Sequence, residues 1–264
     1  MIREITSTSN PFIKHLRALA TSKKVRQETN SFLIEGWRAI SSLLTHTNKA
    51  YKLEQLVVSE AWRNDPRLPS ELEVVLVPEF VFNKISEVRN AQGILGIIQR
   101  IPTPLSFPPD AGNYLLLDNL RDPGNLGTLI RSAVGAGFAG VLLYGNCADP
   151  FSPKTVRSTM GTFAFTQIAS IKKNEINQML ADGYHLCATT GAGGENIYTT
   201  HFGAKNILMI GSEAHGLSDE LMELATQKIT IPLQPECESL NAAVAGSICL
   251  FQIQHNTLSL RSKN

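Results

Sequence analysis

The chain has no apolar run that approaches the roughly 20 residues a membrane-spanning helix needs. Its first residues, MIREITSTSNPFIK, lack the apolar core of a secretory leader. Cysteine is scarce and scattered: Cys147, Cys187, Cys237 and Cys249 form no C-x-x-C pair, which argues against a zinc site and a disulfide framework and for reduced thiols. The six histidines show no H-E-x-x-H or other paired spacing, so no metal is expected. G-K-[ST] is absent, which excludes a P-loop, and no G-x-S-x-G nucleophile elbow occurs. Charge of one sign is lacking too. With 24 Lys and Arg against 23 Asp and Glu the formal net charge is +1, so nucleic-acid binding would have to come from a local patch. These absences describe a cytoplasmic protein without membrane or metal.

A local basic excess does exist near the amino terminus, where Arg3, Lys14, Arg17, Lys23, Lys24, Arg26 and Arg38 stand against Glu4, Glu28 and Glu35; a solvated helix face gives the same pattern. Residues 3 to 46 read as mainly helical. Asn10 and Pro11 can start a helix whose apolar face is Phe12, Ile13, Leu16 and Leu19, and a short strand, Phe32 to Ile34, breaks at Glu35 and Gly36 before the next helix. From Leu53 the β-branched runs QLVVSE, LEVVLVP and QGILGIIQ indicate a small mixed α/β unit. IPTPLSFPPDAGN, residues 101 to 113, carries four prolines and no periodicity, as a linker between two cores does. The expected boundary is near Pro108, giving domains 1–108 and 109–264.

After the linker, strands and helices alternate. Strands are expected at Tyr114 to Leu117, Val141 to Tyr144, Ala164 to Ile168, His185 to Thr189, Asn206 to Ile210 and Lys228 to Ile231. Helices are expected from Leu126, from Ser152, at Asn174 to Ala181, at Ser218 to Ala225, and from about Leu240 to Gln254. This rhythm calls for an α/β fold with a mostly parallel sheet covered on both faces. Ligands in such sheets bind beyond the carboxyl ends of the strands, where Asn119, Arg121, Asp122, Asn125 and Arg131 crowd. Asp122 and Asn125 could equally be turn and cap residues.

Three glycine-bearing loops, DPGNLG, TTGAGGEN and GSEAHG, follow expected strands, and none is G-x-G-x-x-G with a ribose-binding acid behind it. That leaves an adenosine-type ligand held by backbone loops, or a structural sheet with incidental glycines. A fourth loop leads into the last helix at Ser239, Leu240 and Asn241. Ser239 is the expected N-cap, and Asn241 in a first turn is poor helix material unless its amide has a role. Ala242, Ala243, Ala245 and Gly246 would let that helix lie close against a neighbour.

DPGNLGTLIRSA, IGSEAHGLSDE and IPLQPECESLNAAVA, in this order, resemble the three motifs of the SpoU branch of the SPOUT RNA methyltransferases, over about residues 114 to 256. FSPKTVRSTMGTFAF fits between the first two. STSNPFIKHLRAL and FLIEGWRAI resemble the small ribosomal-protein-like RNA-binding domain that many members carry in front. The resemblance implies a catalytic domain with a trefoil knot, S-adenosylmethionine bound bent among the knot loops, 2′-O-methylation of RNA ribose, and a homodimer formed through the catalytic domain. By motif position, Asn125 and Arg131 belong to the first motif, Gly211, Glu213 and Gly216 to the second, and Ser239, Leu240 and Asn241 to the third. Ile231 falls where the family's strand backbone meets the cofactor. The resemblance assigns the adenosine and methionine parts to backbone groups around Thr189, Gly211, Ile231 and Leu240. It gives Arg131 to the target nucleotide, held by Asn125, Glu213, Ser239 and Asn241. A guanidinium stays protonated, so Arg131 reads as a phosphate and ribose clamp before a general base. Val134 stands where members often carry an acidic residue, so Arg131 lacks that local partner.

The expected activity is methylation of ribosomal RNA, given the appended domain. The alternatives are a transfer-RNA methyltransferase, a resistance methyltransferase acting on one ribosomal nucleotide, a nucleotide-dependent oxidoreductase with an open doubly wound sheet, and a catalytically silent RNA-binding module.

Overall fold

The structure is a computed structural model that describes residues 2–45, 50–102, 107 and 112–261. The expected boundary near Pro108 lies outside the described residues. Two compact units are present: Met1–Pro104 with Asp149–Phe165, and Leu105–Ala148 with Thr166–Asn264.

Unit 1 runs β1 (Ile2–Glu4), α1 (Pro11–Thr21), α2 (Lys23–Thr29), β2 (Ser31–Glu35), α3 (Trp37–Thr45), β3 (Tyr51–Ser59), β4 (Glu73–Val77), α4 (Glu79–Ile85) and β5 (Ile94–Arg100). Its five-stranded sheet has the order β1-β4-β3-β5-β2. The β1, β4 and β3 strands run parallel, whereas β5 pairs antiparallel with both β3 and β2. Asn10 starts α1 as expected, its side chain accepting from Phe12 N at 2.9 Å. Ile13, Leu16 and Leu19 of α1 and Val81, Phe82 and Ile85 of α4 bury one sheet face around Val57, Val75 and Leu95.

Unit 2 continues with β6 (Tyr114–Asp118), α5 (Pro123–Gly135) and β7 (Gly140–Tyr144). The stretch that follows, carrying α6 (Pro153–Ser158), belongs to unit 1. Then come β8 (Gln167–Ser170), α7 (Lys173–Ala181), β9 (His185–Thr189), β10 (Glu195–Asn196), β11 (Asn206–Ile210), α8 (Asp219–Leu224), β12 (Gln227–Thr230) and α9 (Ala242–Arg261). The seven-stranded sheet has the order β10-β12-β9-β11-β6-β7-β8, and every pairing is parallel. Both β6 and β11 are buried along their whole length, as a strand covered on two faces must be. On one face α7 and α8 pack against Leu116, Leu142, Leu186 and Met209. The helices α5 and α9 pack on each other and reach β7 and β11. Gly246 makes the α5–α9 approach possible, since a Cβ there would stand 2.5 Å from Leu129 Cδ2. Because β11 lies between β9 and β6, the chain after β12 has to return across the strand ends to lay α9 on α5, the return on which the implied trefoil knot depends.

Three local expectations change. A 3₁₀ turn at Thr162–Phe165 precedes β8, so the strand begins at Gln167 rather than near Ala164. The last helix starts at Ala242, and Asn241 caps it in place of Ser239: Asn241 Oδ1 accepts from Ala243 N at 2.9 Å and Val244 N at 3.3 Å. The segment Asp149–Phe165, counted with the second half on sequence, completes the first unit. Phe151 and Phe163 pack against Phe32 of β2, tilted and edge-on, with ring centroids 4.8 and 5.4 Å away. Arg26, 5 % exposed, donates through Nε to Asp149 Oδ2 at 2.8 Å, and Arg100 lies 4.4 Å over the Phe151 ring. Strand and helix alternation locates elements along the chain but does not say which core their apolar side chains enter.

Candidate active site

The loops that leave β9, β11 and β12, with the start of α9, border a cavity of about 460 Å³. Thr189, Gly211, Glu213, Gly216, Ile231, Ser239, Leu240 and Asn241 all line it. Its floor depends on glycine. Ser212 and Gly216 exchange two backbone hydrogen bonds of 2.9 Å, folding the loop back so closely that a Cβ on Gly211 would stand 2.0 Å from the Gly216 carbonyl carbon. Gly216 itself has φ +70°, which a side chain would strain. Thr189 Oγ1 donates to Met209 O at 2.9 Å and fixes the end of β9 to β11. Cys249 closes the inner wall, where burial pushes its thiol up to about 12 and keeps it protonated and unreactive.

At the rim three distant stretches meet. Asp122 Oδ1 caps α5 by accepting from Asn125 N at 2.7 Å, which leaves the Asn125 side chain free to reach outward. Asn125 Nδ2 donates to Glu213 Oε1 at 2.6 Å, and Asn241 Nδ2 donates to Asn125 Oδ1 at 3.1 Å. The chain itself fixes these amide orientations. Asn241 must turn its oxygen to the α9 amides, so its nitrogen faces Asn125, and Asn125 then presents its own nitrogen to the carboxylate. Asp122 is a helix cap, and Asn125 is more than one.

The structure thus brings Asn125, Glu213 and Asn241 into direct contact and puts Ser239 on the exposed cavity wall without a capping role. Arg131 stands apart. It is exposed on α5, does not line the cavity, and makes no hydrogen bond or ion pair with a described residue. Sequence reading missed Asp118, which is fully buried at the end of β6. Its carboxylate accepts from Ser218 N and from Asn119 Nδ2, both at 2.6 Å, and so ties the motif-bearing loops together. An acid closing an apolar strand was the available signal.

Of the basic residues near the amino terminus, Arg26 is consumed by its buried pair with Asp149, and Arg3 and Lys24 pair at the surface with Glu73 and Glu28. Lys14, Arg17, Lys23 and Arg38 are exposed. Among the described residues there is no group of three or more His, Cys, Asp or Glu able to hold a metal ion, and no helix long and apolar enough to cross a membrane.

The family model described as the SpoU rRNA Methylase family matches residues 112–251, and that of an MRM3-like substrate binding domain matches residues 10–96. A Synechocystis protein described as an uncharacterized tRNA/rRNA methyltransferase is 31% identical over 95% of this chain and 93% of its own. The Bacillus subtilis 23S rRNA (guanosine(2553)-2′-O)-methyltransferase RlmP is 30% identical over 96% of this chain and 100% of its own. Among solved structures, the AdoMet-bound rRNA methyltransferase from Sinorhizobium meliloti superposes with a TM-score of 0.83 at 34% identity, covering 96% of this chain and 98% of that one.

Proposed function

The chain belongs to the SpoU rRNA methylase family, and from that premise we infer that it is an S-adenosylmethionine-dependent methyltransferase acting on the ribose 2′-hydroxyl of ribosomal RNA. The observation that carries the site assignment is the Asn125–Glu213–Asn241 contact at the mouth of the glycine-floored cavity. The residues fit such a cofactor. The cavity has the size of a small-ligand site, and its floor exists only because Gly211 and Gly216 carry no side chain, so backbone groups can meet a ligand directly. When bound, the cofactor supplies an activated methyl group on a sulfonium.

The protein's share is then binding and alignment. Backbone groups around Thr189, Gly211, Gly216, Ile231 and Leu240 hold the adenosine and methionine parts. Asn125, Glu213 and Asn241 form a preorganised polar edge where the ribose hydroxyl approaches, with Ser239 beside them on the wall. Arg131 reaches the same nucleotide from α5 as a clamp on phosphate and ribose. That it has no hydrogen bond or ion pair with a described residue supports that role, because a guanidinium committed to a carboxylate could not take a phosphate.

Unit 1 is the RNA-binding part, with Lys14, Arg17, Lys23 and Arg38 as its exposed cations. On α9, Val244 and Phe251 are each 49% exposed and lie seven residues apart on one stripe, which supports pairing of two catalytic units into a homodimer. The working compartment is the cytoplasm.

Ribosomal RNA is favoured over transfer RNA by the kind of domain matched in unit 1 and by the names of the relatives. Incubating the purified chain with labelled S-adenosylmethionine and either RNA separates the two. Label should enter ribosomal RNA; label confined to transfer RNA would move the substrate, and cofactor binding without any transfer would favour a silent RNA-binding module.

A further inference from the structure

A second cavity, of about 420 Å³, opens beside the first and shares Ser212, Glu213 and Gly216 with it. Asn119, Arg121 and Ser218 form much of its remaining border, so it lies at the carboxyl ends of β6 and β11, which are hydrogen-bonded neighbours. Its polar groups differ in what they have left to offer. Asn119 is used internally, donating to Asp118 Oδ1 at 2.6 Å and accepting from Asn146 N at 2.8 Å. Glu213 gives one oxygen to Asn125. Ser218 Oγ is buried and has no hydrogen-bond partner among the described residues, although Ser218 precedes α8 and could have capped it. Arg121 is exposed and makes no hydrogen bond or ion pair with a described residue.

We propose that this cavity seats the acceptor nucleotide, with its phosphate on Arg121, a hydrogen bond from Ser218, and its ribose toward the shared wall at Glu213. The proposal rests on the methyltransferase reading. A methyl acceptor has to meet the donor at about 3–3.5 Å from a fixed direction, which requires a second chamber contiguous with the cofactor's. Charge orders the ligand within it: the Glu213 carboxylate repels phosphate, and the guanidinium attracts it. A buried hydroxyl without a partner costs stability unless a ligand completes it. Arg121 thereby becomes a positioning residue for the phosphate inside the chamber, and Arg131, which borders neither chamber, is left the phosphate on the other side of the acceptor ribose.

The test uses the full chain, labelled cofactor, and ribosomal RNA from cells lacking the gene. Arg121→Ala should raise KM for that RNA by at least ~10-fold with kcat and S-adenosylhomocysteine affinity little changed. Arg121→Lys should bring KM back to within about threefold of wild type, because a phosphate accepts a point charge. Ser218→Ala should raise KM roughly threefold while the melting temperature of the RNA-free protein holds or rises, since its side chain caps nothing and leaves no buried hydroxyl unpaired once removed. An unchanged KM in Arg121→Ala, or a cofactor affinity that falls along with it, overturns the assignment. If the wild-type chain binds cofactor but methylates no RNA, the functional reading fails separately. RNA affinity measured without turnover then decides for Arg121, and an unchanged Kd in the alanine variant rejects the subsite.

Discussion

Unit 1 closes its core with a piece of chain from far along the sequence, whereas unit 2 closes its own core and gathers its candidate site residues beyond the strand ends. In unit 1, Phe151, Phe163 and Asp149 come from the stretch between β7 and β8, and without them Phe32 would lose two aromatic neighbours and Arg26 its carboxylate. In unit 2 the central strands β6 and β11 are buried along their whole length, while Asn125, Glu213 and Asn241 meet beyond the strand ends. Replacing a residue should therefore do opposite things in the two places: it should unfold unit 1 and disable unit 2.

The largest expected effect is Asp149→Ala. It leaves the buried Arg26 guanidinium without its carboxylate, which costs about 3–5 kcal/mol. Both tryptophans, Trp37 and Trp62, lie in unit 1, so denaturant unfolding followed by their fluorescence reports on that unit alone. Cofactor affinity should hold under conditions where unit 1 stays folded; a loss of affinity there would erase the contrast.

Arg131→Lys comes next and acts on function only. Its side chain makes no hydrogen bond or ion pair with a described residue, so fold and cofactor binding should persist. Single-turnover methylation should fall steeply, because an ammonium cannot make the planar paired contact of a guanidinium. Near-normal turnover would remove Arg131 from the mechanism.

Asn241→Ala is the case where both effects appear. The α9 cap is worth about 1 kcal/mol, a modest loss by melting, while the contact to Asn125 disappears and activity should drop far more than stability. Full activity in the folded fraction would make Asn241 a cap and nothing else.

The smallest expected effect is alkaline. Burial pushes the Cys187 and Cys249 thiols, both in unit 2, up to about 12, and an unfolded thiol ionises near ~8.5. Above that pH the unfolded chain sheds protons that the native chain keeps, so stability present below ~8.5 is lost progressively as pH rises toward the native values. Unit 1 contains no cysteine, and the raised phenol of Tyr51 starts from about 10. Denaturation at about pH 8 and about pH 10 should weaken unit 2 and spare the tryptophan signal. Equal losses in both would contradict the assignment.

The parallel sheet of unit 2 was legible because fully buried strands write continuous apolar runs, and Asn206–Ile210 was read to the residue. Two-residue β10 writes no pattern at all. Asn241 stood out as an oddity whose amide needed a use, and it has two, as a cap and as a link. Ser239 misled because serine ahead of an apolar run is an ordinary N-terminal signal, and the better cap lay two residues further on. The contact among Asn125, Glu213 and Asn241 could not be read from spacing, since it joins residues 88 and 116 positions apart. Arg131 was named by motif, and nothing local to α5 could have told an arginine that faces outward from one that turns into the cavity.

Nucleoside mass spectrometry of ribosomal RNA from cells lacking the gene, before and after incubation with the purified chain and S-adenosylmethionine, tests the central claim most directly. The account requires one nucleoside to gain a methyl group on its ribose 2′-oxygen, with no gain when Asn241→Ala replaces the wild type. A methyl group on a base, or an RNA unchanged by a protein that demonstrably binds the cofactor, would contradict it.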